Sequence, residues 1–152
     1  METLNASNLS EKVANVGSTV KKFGGFEELP IEKRSEFYRY WLPNLVKNNQ
    51  HEIAARESKS IWRLLDESTD LSSSVIRTLV ESQLAYCRAC IISVRPNQAL
   101  DNLGQVKRFI SNPSKGNISD LGTIAKIRSA QAYLGLNQPH RASQELKSID
   151  PL

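Results

Sequence analysis

Proline stands three residues ahead of an alanine and seven ahead of a leucine at two places in the chain, Pro96-x-x-Ala99-x-x-x-Leu103 and Pro139-x-x-Ala142-x-x-x-Leu146. The first turn of a helix tolerates proline, because the N–H it lacks would have no intrahelical partner there. Each frame therefore reads as a helix start. Alanine one turn further in allows a second helix to cross closely, and a leucine one turn beyond fills the adjacent groove. The preceding segments match as well: Ala89 and Ala132 lie ten residues ahead of Ala99 and Ala142, and are followed by Cys90 and Tyr133. A frame of this kind, repeated at a spacing of 43 residues, restricts the chain to an architecture built from repeated pairs of helices.

The rest of the chain agrees, since apolar residues recur at three and four with little strand-like alternation. Leu9, Val13, Val16 and Val20 mark a first amphipathic helix, opened by the Asn/Ser cluster at Ser7 to Ser10, stopped by Gly24-Gly25 and expected to lie as a lid on the helices after it. A second helix starts after Pro30 and carries Phe37, Tyr38, Tyr40, Trp41, Leu42 and Leu45; Pro43 should kink it or end it early. A third carries Ile53, Ala54, Ile61, Leu64 and Leu65, and the stretch DESTDLSSS then supplies N-caps for the next. The fourth, about Ser73 to Val94, is apolar on most sides and should be central. A fifth runs from Pro96 to about Ile110, a sixth from Asp120 to Leu136 and a seventh from Pro139 to Ile149. The expected fold is all-α, with an N-terminal helix and turn over 1–28 followed by a repeat domain over 29–152, whose hairpins span roughly 30–67, 71–112 and 118–150.

These residues resemble a tetratricopeptide repeat, a helix–turn–helix unit with the pattern W-x₂-L-G-x₂-Y…A-x₃-F…P. In the last hairpin Ala130 takes the glycine position, Tyr133 the tyrosine, Ala142 the alanine and Leu146 the aromatic; Lys126 and Ser129 replace tryptophan and leucine, and Pro151 comes early for the closing proline. In the hairpin before it, Cys87, Cys90, Ala99 and Leu103 fill the same places, with Gln83 and Tyr86 ahead of them. A third frame over Trp41, Leu42, Leu45 and Ala54 is weak, because Leu42 is not small and Ser58 cannot fill the groove. The repeat spacing exceeds the family's, an excess the loop from Ser111 to Ser119 could absorb. The resemblance implies a right-handed stack of antiparallel hairpins, about seven helices in all, that offers a groove to a peptide or partner helix and does no chemistry.

Charge adds a direction. Met1 to Leu103 holds 13 Lys and Arg against 13 Asp and Glu, whereas Gly104 to Leu152 holds 7 against 3, so the net charge of +4 belongs to the last third. That end should prefer anions, whether an acidic peptide or nucleic acid. No apolar run is long enough to span a membrane, and the N-terminus lacks a basic start with an apolar stretch, which predicts an intracellular protein of the cytoplasm or nucleus. IDPL comes directly after the last hairpin without a polar capping helix, which predicts either a longer chain or a homodimer through that end.

Other clusters have a structural reading that outweighs the chemical one. Cys87-x-x-Cys90 lies within a helix, and only His51 and His140 could complete a zinc site, in no finger-like spacing. Both cysteines sit on repeat packing positions, so packing is preferred to redox or metal work. The run EFYRYW could stack single-stranded nucleic acid, but Phe37 and Trp41 share one helical face, which favours core, with Tyr38 or Tyr40 left on another face. No nucleotide-binding or nucleophile-elbow motif appears, so neither catalysis nor a cofactor or metal is expected. Partner-binding candidates are Arg88, Arg128 and Gln131, polar residues on the first helices of the two better hairpins. Chaperone-binding members of the family clamp a terminal carboxylate with such residues; here Leu84 and Ile127 occupy two of the places where polar clamp residues belong. The expected function is a protein-interaction scaffold or adaptor, with a basic helical repeat that binds RNA as the alternative.

Overall fold

The structure, a computed structural model, describes residues 6–22, 24–112 and 117–149, and these are α-helical throughout, joined by turns, with no strand among them. The helices are α1 (Ala6–Lys22), α2 (Ile31–Lys47), α3 (His51–Glu67), α4 (Ser73–Ile92), α5 (Pro96–Ile110), α6 (Asp120–Gly135) and α7 (Pro139–Lys147). Pro96 and Pro139 occupy first-turn positions of their helices, as the repeated frame requires. Ser72 caps α4, its Oγ accepting from the Val75 N–H at 3.2 Å. Pro151 lies outside the described residues, as do parts of the loop from Ser111 to Ser119, whereas Ser7 to Ser10, expected to open the first helix, lie within α1.

The three helical pairs turn in the same way. Asn49, Val94 and Asn137 each have a left-handed backbone, with φ of 61°, 61° and 57°. The next N–H in each case reaches back to the third-last carbonyl of the helix: Gln50 to Leu45 at 2.9 Å, Arg95 to Cys90 at 2.8 Å and Gln138 to Tyr133 at 2.8 Å. The left-handed residue itself bonds to Val46, Ile91 or Leu134. This is the Schellman ending, which satisfies carbonyls the helix leaves open. Five residues past the left-handed position stand Ala54, Ala99 and Ala142, all buried. The third frame, weak by residue type, is thus a full copy by backbone geometry, with Leu42 and Ser58 both buried.

Contacts divide the chain into two compact units, Met1–Ser82 and Gln83–Leu152, with the boundary inside α4. In the first unit α2 packs against both α1 and α3. Phe26, from the turn after α1, joins Phe37 and Tyr38 at centroid distances of 5.2 and 5.1 Å, and Phe37 meets Trp41 at 5.2 Å. Tyr38 and Trp41 are buried and Tyr40 is left in solvent, so the aromatic run is largely core. Glu57, also buried, accepts from the Tyr38 hydroxyl at 3.2 Å and pairs with Lys21 at 3.5 Å. Desolvation by burial, reinforced by the Glu57 charge, pushes the Tyr38 phenol well above its ordinary range.

Three expectations are corrected. Leu9 and Val16 are exposed on α1; the line that docks is Ala14 and Gly17. A Cβ at Gly17 would collide with the Trp41 indole, whose Nε1–H donates to the Ala14 carbonyl at 3.2 Å. Close approach, not apolar area, selects the contact face. Pro43 does not end α2, which continues to Lys47. Leu146 does not fill a groove: it is 49% exposed near the end of α7, although Ala142, one turn before it on the same face, is buried.

In the second unit α6 packs against both α5 and α7, and the core gathers Leu103, Val106 and Phe109 of α5 with Leu121, Ala125 and Ala132 of α6. Two buried amides lie between α4 and α5, Asn102 donating to the Gln83 side-chain oxygen at 2.8 Å. Near them the Cys87 thiol donates to the Ala99 carbonyl across 3.7 Å.

Candidate interaction surface

α6 is rich in apolar residues on more than one side. Leu121, Ala125, Ser129, Ala130 and Ala132 are buried, and the small side chains among them let neighbouring helices approach closely. Ile124, Ile127 and Leu134 face solvent at 39%, 38% and 58% exposure. Their spacing, with Arg128 and Gln131 beside them, runs along one strip of the helix about 15 Å long at 1.5 Å per residue. A helix that is apolar beyond its core stripe leaves a face for something else to cover.

The sequence candidates fall on this strip and beside it. Arg128 donates from Nη1 to the Gln131 side-chain oxygen at 3.0 Å. Partial burial lowers the affinity of its guanidinium for the proton, and the positive charge of Arg88 adds to the effect. Arg88 is exposed, and neither arginine has an ion-pair partner among the described residues. The fold of the second unit thus sets Arg88 of one hairpin near Arg128 of the next, which in turn holds Gln131. In the sequence Ile127 registers only as the absence of a polar clamp residue; with Ile124 and Leu134 it forms the apolar part of the surface. The three- and seven-residue spacings of Ile124, Ile127 and Leu134 do not by themselves tell this exposed row from the buried alanines of the same helix.

Cys87 and Cys90 are buried and unbridged. Burial pushes the Cys87 thiol up to about 12, partly offset by the Asn102 hydrogen bond, and Cys90 up to about 11, partly offset by Tyr86. Both are neutral thiols at physiological pH and so poor nucleophiles. Gln98 donates to the Tyr86 hydroxyl next to them. His51 and His140 stand in the first turns of α3 and α7. No group of three or more metal-ligating side chains occurs among the described residues, and none of their helices is long and apolar enough to cross a membrane.

The chain is thus an all-α protein made of helical hairpins with one recurring turn. A comparison with protein-family models, curated proteins and solved structures finds no match.

Proposed function

We propose that this chain is a non-catalytic, intracellular protein-interaction module of the tetratricopeptide-like kind, a scaffold or adaptor that holds a peptide or partner helix on its hairpin surface. The observation that carries the reading is the apolar strip of Ile124, Ile127 and Leu134 left in solvent on a helix already packed on its other sides. Burying such a strip against a partner is worth roughly 25 cal/mol per Å² of apolar surface removed from water. Recurrence of one hairpin turn supports a scaffold of repeated units, in which a rigid surface rather than a reactive cluster does the work. Arg88, Arg128 and Gln131 supply the polar rim of that surface.

The basic excess of the last third gives RNA binding as the opposing outcome. Phosphate contacts release counterions, so affinity for RNA falls steeply between about 50 and 200 mM salt, whereas a largely apolar peptide contact changes little. Selection of peptides from a displayed random library, together with anisotropy titrations of a labelled single-stranded RNA across that salt range, separates the two. The expected result is enrichment of peptides that bind at physiological salt and RNA binding that vanishes there. Tight RNA binding at physiological salt with no peptide enriched would overturn the reading.

A further inference from the structure

We infer that the strip on α6 seats an acidic amphipathic helix, one whose apolar side chains recur at three and four residues and are flanked by Asp or Glu. The inference rests on the protein-interaction reading and adds the chemistry of the partner.

Two observations lead to it. Ile124, Ile127 and Leu134 form a narrow straight row along a single helix, and a row of that kind fits the groove between side-chain ridges of a second helix. An extended strand would need backbone hydrogen-bond partners, and a helix interior offers none because its own N–H and C=O groups are already paired. Charge then selects among helices. Arg128 lies beside the apolar row, partly desolvated and within reach of the positive charge of Arg88, yet neither arginine has a carboxylate partner among the described residues. Glu145 is taken by Lys107 at 2.8 Å. Arg128 is held toward Gln131, whose neutral amide orients the guanidinium without neutralising it. A carboxylate arriving beside the apolar row would relieve the repulsion and form charge-assisted hydrogen bonds that a basic or neutral helix cannot. A polar rim of this sort sets partner choice and encounter rate, while the isoleucines and leucine supply the apolar contact.

The test uses the full chain and peptides of about 15 residues or more, long enough to form a helix on docking, selected from a displayed random library. Enriched sequences should carry apolar residues at i, i+3 or i+4, and i+7 with Asp or Glu between them. Their binding should shift the amide resonances of 124–134 in ¹⁵N spectra. Ile127→Ser should weaken binding about tenfold or more, a loss on the scale of an interface hot spot. Because Ile127 is partly exposed, that variant should keep the wild-type helical signal and melting curve. Arg88→Glu with Arg128→Glu should reverse the preference, so that the same peptide with Lys for Glu binds better than the original. Peptides that are enriched but basic, that lack helical spacing, that shift resonances elsewhere, or that bind the Ile127→Ser and double-Glu variants as well as the wild type would overturn this inference and leave the broader reading standing. A second copy of the chain competing for the strip would show as a concentration-dependent dimer lost in Ile127→Ser, and it too would overturn the acidic-helix assignment. Failure to enrich any peptide removes both.

Discussion

Val94 occupies a backbone conformation that suits it poorly, and the two equivalent turns show what suits it better. Its φ of 61° matches Asn49 at 61° and Asn137 at 57°. For an L residue the left-handed region costs roughly 1–2 kcal/mol through the clash of Cβ with the following carbonyl, a cost asparagine partly escapes and a β-branched side chain does not. Val94 is 83% exposed, so its burial returns little. Val94→Asn should therefore stabilise the protein by about 1 kcal/mol. Val94→Gly should gain less, because relief of the clash is offset by the larger entropy that glycine loses on folding, about 0.5–1 kcal/mol. The reciprocal changes Asn49→Val and Asn137→Val should each lose about 1 kcal/mol. Urea denaturation with unchanged m-values reads these differences, and a gain of about 1 kcal/mol should raise the melting temperature by roughly 2–4 °C in a chain of this size. A Val94→Asn protein no more stable than wild type, beside an Asn137→Val protein that is no less stable, would refute the equivalence of the turns and the strain assigned to Val94.

Overpacking gives a second test: Ala99→Leu and Ala142→Leu should each cost about 1–3 kcal/mol, whereas Ala55→Leu, on a half-buried face of α3, should cost clearly less, as chemical denaturation would show. Gly17→Ala should loosen α1 from α2 despite the better helix propensity of alanine, costing about 1–2 kcal/mol net and shifting Trp41 fluorescence as the indole leaves the Ala14 carbonyl. In alkali, stability should decline from about pH 9 upward. The folded thiols of Cys87 and Cys90 ionise near 12 and 11 while unfolded cysteine ionises near 9.0, so the contribution is whole below the unfolded value and lost as pH climbs toward the folded ones. Replacing both cysteines by alanine should flatten that part of the pH–stability curve, and native thiols should resist alkylation at pH 8.

The helices were legible because their boundaries are written in residues with few conformational options. Pro96, Pro139 and Gly24 act through the backbone alone, and the spacing of Ala99 and Leu103 reports burial directly. The docking face of α1 was not legible, since hydropathy weighs apolar area and passes over the glycine that lets Trp41 lie against the helix. Nor was the third copy of the turn, at Asn49, because His51 stands where the other two frames have proline and Ser58 where they have leucine. Arg88, Arg128 and Gln131 could be picked from their places on the first helices. The apolar strip beside them could not, because separating exposed isoleucine from buried alanine on α6 requires knowing where α5 and α7 lie.

The amide pair of Asn102 and Gln83 bears on how a chain with lookalike hairpins avoids mispairing them. The alanine position recurs in all three copies and the leucine position in two, and exchanging one apolar contact for another of similar volume usually costs less than about 1.5 kcal/mol. A core of that kind cannot tell its own partner helix from a homologous one. Stranding a buried amide opposite an apolar residue costs about 1–3 kcal/mol for each unsatisfied group, and a slip of α5 by one turn against α4 would strand both. Gln83 and Asn102 thus work as an address label. They favour one register of α5 against α4 over a one-turn slip.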